Sequence, residues 1–311
     1  MVEYGFESKD NEIFPSMIQA MINNTCNLSC NHCPHPEYRN SPEYRPTYMK
    51  LSLFQRIIDE TSEHKNASIR IFGWGEPLKH PQLTDMVKYA GEKNVPSILI
   101  TNGTLLSQDI SHKLLDYKLS IIEISLDAAS PETYELVRGN KKTFQKVVEN
   151  VNTLLKLRNE QHNPLYVVLS IINQPKASED VPKFIEQWSE KVDKVLTRRF
   201  HDFMGAAADK SAICLPERYP CRALWSRFNI TPEGLVSICY NDWKNEYIIG
   251  NLNDTTQSIK AIWNSDIYKK YRESHLSKEY FGLCAKCNTW IGSDWKTPYE
   301  VLIKESKRKH E

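Results

Sequence analysis

Between residue 17 and about residue 200, short apolar runs alternate with amphipathic stretches, and this alternation restricts the possible folds more than any other feature. The runs are Met17–Asn23, Ser68–Gly73, Ser97–Thr101, Ser120–Leu126, Leu165–Ile172 and Lys194–Phe200. Most are continuous rather than alternating, the pattern of parallel strands covered on both faces. Between them, Ser52 reads as a helix N-cap with Gln55 completing a capping box, ahead of Leu53, Phe54, Ile57 and Ile58 at helical spacing. Ser130 reads as a second cap, with Pro131 in the first turn and Gly139 just past the end. A third stripe carries Phe144, Val147, Val148, Val151 and Leu155. Six strands with crossover helices predict a right-handed α/β unit, either an open sheet or a partial barrel. In such units ligands sit at the carboxyl ends of the strands.

After about residue 205 the pattern changes. The stretch from Phe228 to Cys239 reads as a β-hairpin turned by Pro232-Glu233-Gly234. A helix with Ile259, Ile262, Trp263, Ile267 and Tyr271 on one face follows, then Cys284-Ala-Lys-Cys287. This predicts a small second module, ending in a frayed basic tail over Lys304–Glu311. A net charge of +1 over 311 residues offers no field to draw nucleic acid or an anionic membrane. The apolar runs are strand-length, too short for a membrane span, and the charged first residues are not those of a signal peptide. A cytoplasmic chain is expected, in which eight cysteines point to metal or redox chemistry rather than disulfides.

Three of those cysteines, Cys26, Cys30 and Cys33, fall within eight residues directly after the first run. A cubane iron–sulfur cluster takes four thiolates, so three leave one iron open. An open position is what separates catalytic from structural metal sites. Zinc with His32 or His35 as fourth ligand satisfies the same spacing. Cys221, Cys239, Cys284 and Cys287 supply four ligands, a closed set for zinc or for an iron–sulfur cluster.

Cys26-x3-Cys30-x2-Cys33 resembles the signature of the radical S-adenosylmethionine (SAM) enzymes. Gly73-Trp74-Gly75-Glu76-Pro77 is similar to the family's GGEP motif, and the resemblance implies that Gly75 and Glu76 hold the SAM amino group. It further implies SAM contacts from Asn102 after the third strand, from Ser125 and Asp127 after the fourth, and from Ser170 and Arg138, the last on the SAM carboxylate. His32 stands where relatives usually carry an aromatic that packs on adenine. The spacing from Cys221 to Cys287 resembles the half-SPASM or twitch module of 2-deoxy-scyllo-inosamine dehydrogenases.

The implied architecture is a partial (β/α)6 TIM-like barrel over residues 14–205, a twitch/SPASM-like module of β-hairpin plus helix over 206–296, and a basic tail over 297–311. The implied cofactors are SAM and two 4Fe–4S clusters, one on Cys26, Cys30 and Cys33 and one on Cys221, Cys239, Cys284 and Cys287. The implied chemistry is reductive cleavage of SAM, hydrogen abstraction by the 5′-deoxyadenosyl radical, and oxidation of a carbohydrate-like or cyclitol alcohol, with the second cluster accepting the other electron. A flavodoxin- or ferredoxin-type protein is the implied electron donor. Cys214, outside both cysteine sets, opens an alternative as hydrogen-atom donor of a sugar or peptide epimerase; as a bland alternative it is a small buried side chain. Maturation of a ribosomally made peptide is a third reading.

Overall fold

The computed structural model describes residues 9–200, 218–287 and 298–308. Its strands are β1 (Met17–Met21), β2 (Ser68–Phe72), β3 (Ser97–Thr101), β4 (Ile121–Ser125), β5 (Tyr166–Asn173), β6 (Lys194–Arg199), β7 (Arg227–Ile230), β8 (Leu235–Ser237) and β9 (Ile248–Asn251). Its helices are α1 (Lys9–Ile13), α2 (His35–Arg39), α3 (Leu51–Ser62), α4 (Leu83–Glu92), α5 (Gln108–Asp116), α6 (Pro131–Arg138), α7 (Phe144–Glu160), α8 (Asp180–Trp188), α9 (Ala223–Ser226), α10 (Ile259–Trp263), α11 (Asp266–Leu276) and α12 (Pro298–Arg308). All nine strands form one sheet in the order β6-β5-β4-β3-β2-β1-β7-β8-β9. The first six pair in parallel, in sequence order, as βα units require. The result is a partial barrel, one of the two arrangements that the alternation predicts and the one that the family resemblance implies.

Both faces of this sheet are covered, which explains the continuous apolar runs. Ile18 and Ala20 on β1, and Ile22 just past its end, pack outward into the core shared with Phe54, Ile57 and Ile58 of α3. Met17 packs inward with Ile98, Ile121, Val168 and the α12 side chains Tyr299 and Leu302. These inner residues lie at or near the beginnings of their strands, so α12 closes the barrel at the end opposite the strand carboxyl ends. The frayed tail is thus corrected through residue 308: burial of Tyr299 and Leu302 gives this segment a reason to order.

Two other local readings shift. Helix α3 begins at Leu51, with Lys50 at the N-cap position and no side-chain cap, so the Ser52 capping box does not form. The cap at Ser130 does form, accepting from the Thr133 N–H, and Gly139 takes the left-handed conformation that ends α6. The single helix expected after the hairpin breaks at Asn264–Ser265, where Ser265 is the N-cap residue of α11. That break turns Ile267 outward and buries Tyr268 in its place. The hairpin is β7–β8, with Gly234 at φ +84° in its turn. Its first strand also pairs in parallel with β1, so the second module extends the barrel sheet rather than standing apart.

Candidate active site

The segment carrying Cys26, Cys30 and Cys33 leaves β1 at its carboxyl end and is held by the ends of β2 and β3. After β2, Gly73 and Gly75 run against the backbone of Asn23 and Thr25; a Cβ on either glycine would lie inside that backbone. This close approach lets the Glu76 N–H donate to the Thr25 carbonyl at 2.7 Å, and lets Asn23 Nδ2 donate to the Glu76 carbonyl at 2.9 Å. The Glu76 side chain, buried, accepts from Thr101 Oγ1 (2.5 Å), the Asn102 N–H (2.7 Å) and the Leu78 N–H (3.0 Å). Burial raises its pKa, against the pull of those three donors. Asn102 in turn donates from Nδ2 to Asn27 Oδ1 at 3.0 Å, inside the cysteine segment. Glu76 and Asn102 thus tie three strand ends together. Asn27 was not singled out by sequence, because it fills a spacer position between Cys26 and Cys30.

The end of β4 at Ser125 lies level with Ser170 within β5; the two are direct partners in the parallel register with their hydroxyls 3.4 Å apart. Asp127 follows, with a positive φ of 58°. Its Oδ1 accepts from the Ile172 N–H at 2.8 Å, while Oδ2 lies 2.5 Å from Arg138 Nη2 and 3.5 Å from His32 Nε2. Arg138 also donates to the Ser125 carbonyl at 2.6 Å and reaches Cys30 Sγ at 3.5 Å. Its guanidinium pKa is raised: burial lowers it, but the Asp127 charge and then the Cys30 thiol outweigh that. A buried cation therefore stands beside the first thiol set. Of the two histidines offered as zinc ligands, His32 meets Gln174 Nε2 at 3.3 Å from Nδ1 and Asp127 at 3.5 Å from Nε2, whereas His35 bonds the Asn24 carbonyl through Nε2 at 2.8 Å and its Nδ1 has no hydrogen-bond partner among the described residues.

Within the segment the three thiols act on one another electrostatically. Burial pushes Cys26 up to about 11 and Cys33 up to about 12, and it raises Cys30 despite Arg138. Protonated thiols in an enclosed place beside a cation suit a bound metal group that displaces their protons. Among the described residues, no three His, Cys, Asp or Glu side chains are arranged for a single metal ion. Three thiols without a histidine partner fit a cluster better than a Cys3His zinc site.

The four later cysteines also come together. Cys221, Cys239, Cys284 and Cys287 line one cavity with Ala223, Leu224, Ile238 and Leu283. Burial raises Cys221 and Cys239 and pushes Cys284 up to about 12, with neighbouring thiols adding to each. Arg218 donates to the Cys284 carbonyl at 2.6 Å, and the Cys221 N–H donates to His275 Nδ1 at 3.0 Å. His275 is thereby an acceptor at Nδ1, and burial holds its pKa down near about 4. Four thiols in an apolar-walled cavity fit a closed iron–sulfur site. Cys214 lies outside the described residues.

The model of the radical SAM superfamily matches residues 21–186. The chain belongs to the radical SAM superfamily. Residues 221–288 of this radical SAM protein match the SPASM iron–sulfur cluster-binding domain. An AdoMet-dependent heme synthase of Methanosarcina barkeri is 30% identical over 46% of the chain, which spans only 40% of that protein's length. The subtilosin biosynthesis protein AlbA of Bacillus subtilis is 25% identical over 88% of the chain and 68% of its own length. Among solved structures, BtrN in complex with AdoMet and 2-DOIA aligns over 88% of this chain and 92% of its own, with a TM-score of 0.60 and 20% identity. Streptococcus suis SuiB bound to its precursor peptide SuiA aligns over 94% and 73%, with a TM-score of 0.68 and 16% identity. At those identities the two structures establish the shared fold. No described helix is long and apolar enough to cross a membrane.

Proposed function

We propose that this radical SAM protein cleaves SAM at the Cys26–Cys30–Cys33 site and oxidises a carbohydrate-like or cyclitol alcohol. In this reading the second electron leaves through the Cys221–Cys239–Cys284–Cys287 site. The observation that carries it is the single apolar cavity lined by all four later cysteines. A four-thiolate set has no position left for substrate, which suits passing electrons rather than binding. Cys26, Cys30 and Cys33 would hold the SAM-binding cluster, which when bound and reduced would supply the one electron for cleavage of the SAM C5′–S bond.

The chain's own residues do the positioning. Gly73 and Gly75 admit the close approach that seats the cysteine segment, and Glu76 fixes that loop to β3. Because the Glu76 carboxylate already accepts from three protein donors, its assigned part is to hold the loop backbone toward SAM. Asn102, Ser125 and Ser170 present polar groups at the strand ends, where a bound SAM would lie. Arg138 holds positive charge beside Cys30, and Asp127 fixes the guanidinium's direction. Such fixed geometry is how a radical is kept beside one C–H bond.

Peptide maturation is the second reading, favoured by the likeness to AlbA over 88% of the chain. The test is anaerobic turnover in D2O, given dithionite, of wild type and Cys214→Ala on candidate polyols and peptides. A ketone without carbon-bound deuterium supports the dehydrogenase. An inverted product carrying deuterium, lost in Cys214→Ala, replaces it with the epimerase. A crosslinked peptide replaces it with maturation.

A further inference from the structure

The inner face of the barrel carries polar groups that the SAM site does not use. In the parallel register, Arg70 on β2 is the direct partner of Gln19 on β1, which is the direct partner of Asn229 on β7. Arg227 lies two residues before Asn229, on the same face. Gln19 is fully buried, and neither its Oε1 nor its Nε2 has a hydrogen-bond partner. The buried Nε atoms of Arg70 and Arg227 and the Asn229 Oδ1 are likewise unpartnered. Arg70 lies 4.4 Å over the Phe72 ring and 4.4 Å over the Tyr299 ring, contacts that hold its plane without accepting its protons in hydrogen bonds.

The charges on this face do not cancel. Arg198 and Tyr299 take both oxygens of Glu123, at 2.6–2.8 Å. No ion pair reaches Arg70 or Arg227 among the described residues. Arg70 feels Glu123 at longer range, and Arg227 feels the Cys221 thiol. Among the described residues the guanidiniums of Arg70, Arg198 and Arg227 therefore share this face, where Glu123 is paired with Arg198 and Glu305 with Lys194, and neither carboxylate is paired with Arg70 or Arg227. Burying like charges and an unpaired amide is costly, and a ligand that accepts from the arginines and bonds the amide removes that cost.

We infer that Arg70, Arg227 and Gln19 bind an anionic group of the substrate, a carboxylate or a phosphate, on the inner face of β2, β1 and β7. This inference rests on the proposed function, in which a substrate is held beside SAM at the strand carboxyl ends. It narrows the substrate to a polyol or peptide bearing an anion. An anion held here sits below the strand ends, leaving the rest of the substrate to extend toward the SAM site. Arg70 and Gln19 are assigned to substrate recognition rather than to catalysis.

The test is calorimetric titration of the reconstituted holoenzyme, in buffer free of phosphate and carboxylate, with glycerol 3-phosphate, glycerate and glycerol. Wild type is expected to bind one or both anions and not glycerol, and the stronger anion identifies the group. Arg70→Met is expected to weaken that binding about tenfold or more, the range for losing a charge-assisted contact, while its thermal midpoint stays level or rises. A purely structural Arg70 would instead lower the midpoint. Gln19→Leu, a smaller change, is expected to weaken binding with the same stability signature. No anion binding by wild type at millimolar concentration, or unchanged binding in both variants, overturns the inference. SAM cleavage by the wild type is measured on the same preparation: its absence removes the proposed function, whereas the titration judges the anion site by itself.

Discussion

The Arg138–Asp127 pair can be tested by a double-mutant cycle with Arg138→Met and Asp127→Asn. The two side chains are 7% and 1% exposed and 2.5 Å apart, so screening by water is small. Without Arg138, Asp127 keeps the Ile172 N–H at 2.8 Å and the more distant His32. An ionised carboxylate left in that place costs about 3–5 kcal/mol. Asp127→Asn strands the guanidinium with only the Ser125 carbonyl and Cys30, and about 3 kcal/mol is expected. Asparagine suits the test because it tolerates the positive φ of 58° at this position and can still accept from Ile172. With both charges gone, only neutral hydrogen bonds are lost, so the double variant is expected to cost about 3 kcal/mol in all rather than the sum. The coupling is then roughly 3–5 kcal/mol. Urea unfolding of the metal-free chain measures it, provided circular dichroism and fluorescence give coincident transitions. Single variants costing under about 1 kcal/mol, or effects adding within about 0.5 kcal/mol, would refute the buried pair. In that case Arg138 would be available for the SAM carboxylate, as the family resemblance implies.

Gly75→Ala forces a Cβ to within 2.6 Å of the Thr25 carbonyl carbon and so displaces the cysteine segment. Reconstituted iron is expected to drop from about eight to about four per chain, with SAM cleavage lost; full iron and full cleavage would contradict the buttress. His80 is buried and neutral, with Nε2 at 2.9 Å from the Met49 carbonyl and Nδ1 accepting from the Gln82 N–H at 3.1 Å. Burial lowers its folded pKa below 6.5. Below about pH 6.5 the unfolded chain gains a proton that the folded chain refuses, so His80 makes stability fall as pH falls and contributes no slope above that range. His80→Gln is expected to flatten the fall between about pH 6.5 and 5 in urea titrations; an unchanged slope would exclude His80 as a source. Tyr299→Phe removes the hydroxyl between Glu123 and Arg198, at 2.8 Å from each. Loosening of α12 by about 1–2 kcal/mol is expected, read as faster clipping there in limited proteolysis; equal rates would show that apolar packing alone holds the helix.

What was legible in the sequence were features written at short range. The strand runs, the Ser130 cap, the Gly139 stop and the hairpin turn at Gly234 each depend on residues a few positions apart. The spacing of Cys26, Cys30 and Cys33, with Gly73-Trp74-Gly75-Glu76-Pro77 after the next strand, named the chemistry before any coordinates. The Ser52 cap failed because capping turns on where the first helical turn starts, and Leu51 already lies in it. The tail was misread because its polar residues dominate the pattern, while Tyr299 and Leu302 have value only against an inner face built by distant strands.

By itself, the sequence determined the order of βα units, the two sets of thiols and the loops that serve them, because periodicity and ligand spacing are local. Only the tertiary structure decided how the polar groups are shared. It gave the Glu76 carboxylate to β3, Arg138 to Asp127 and Cys30, Glu123 to Arg198 and Tyr299, and left Gln19 and Arg70 without hydrogen-bond partners. The reason is physical: a buried polar group takes whichever complementary atom the fold brings near, and strand register, not sequence distance, sets that neighbour.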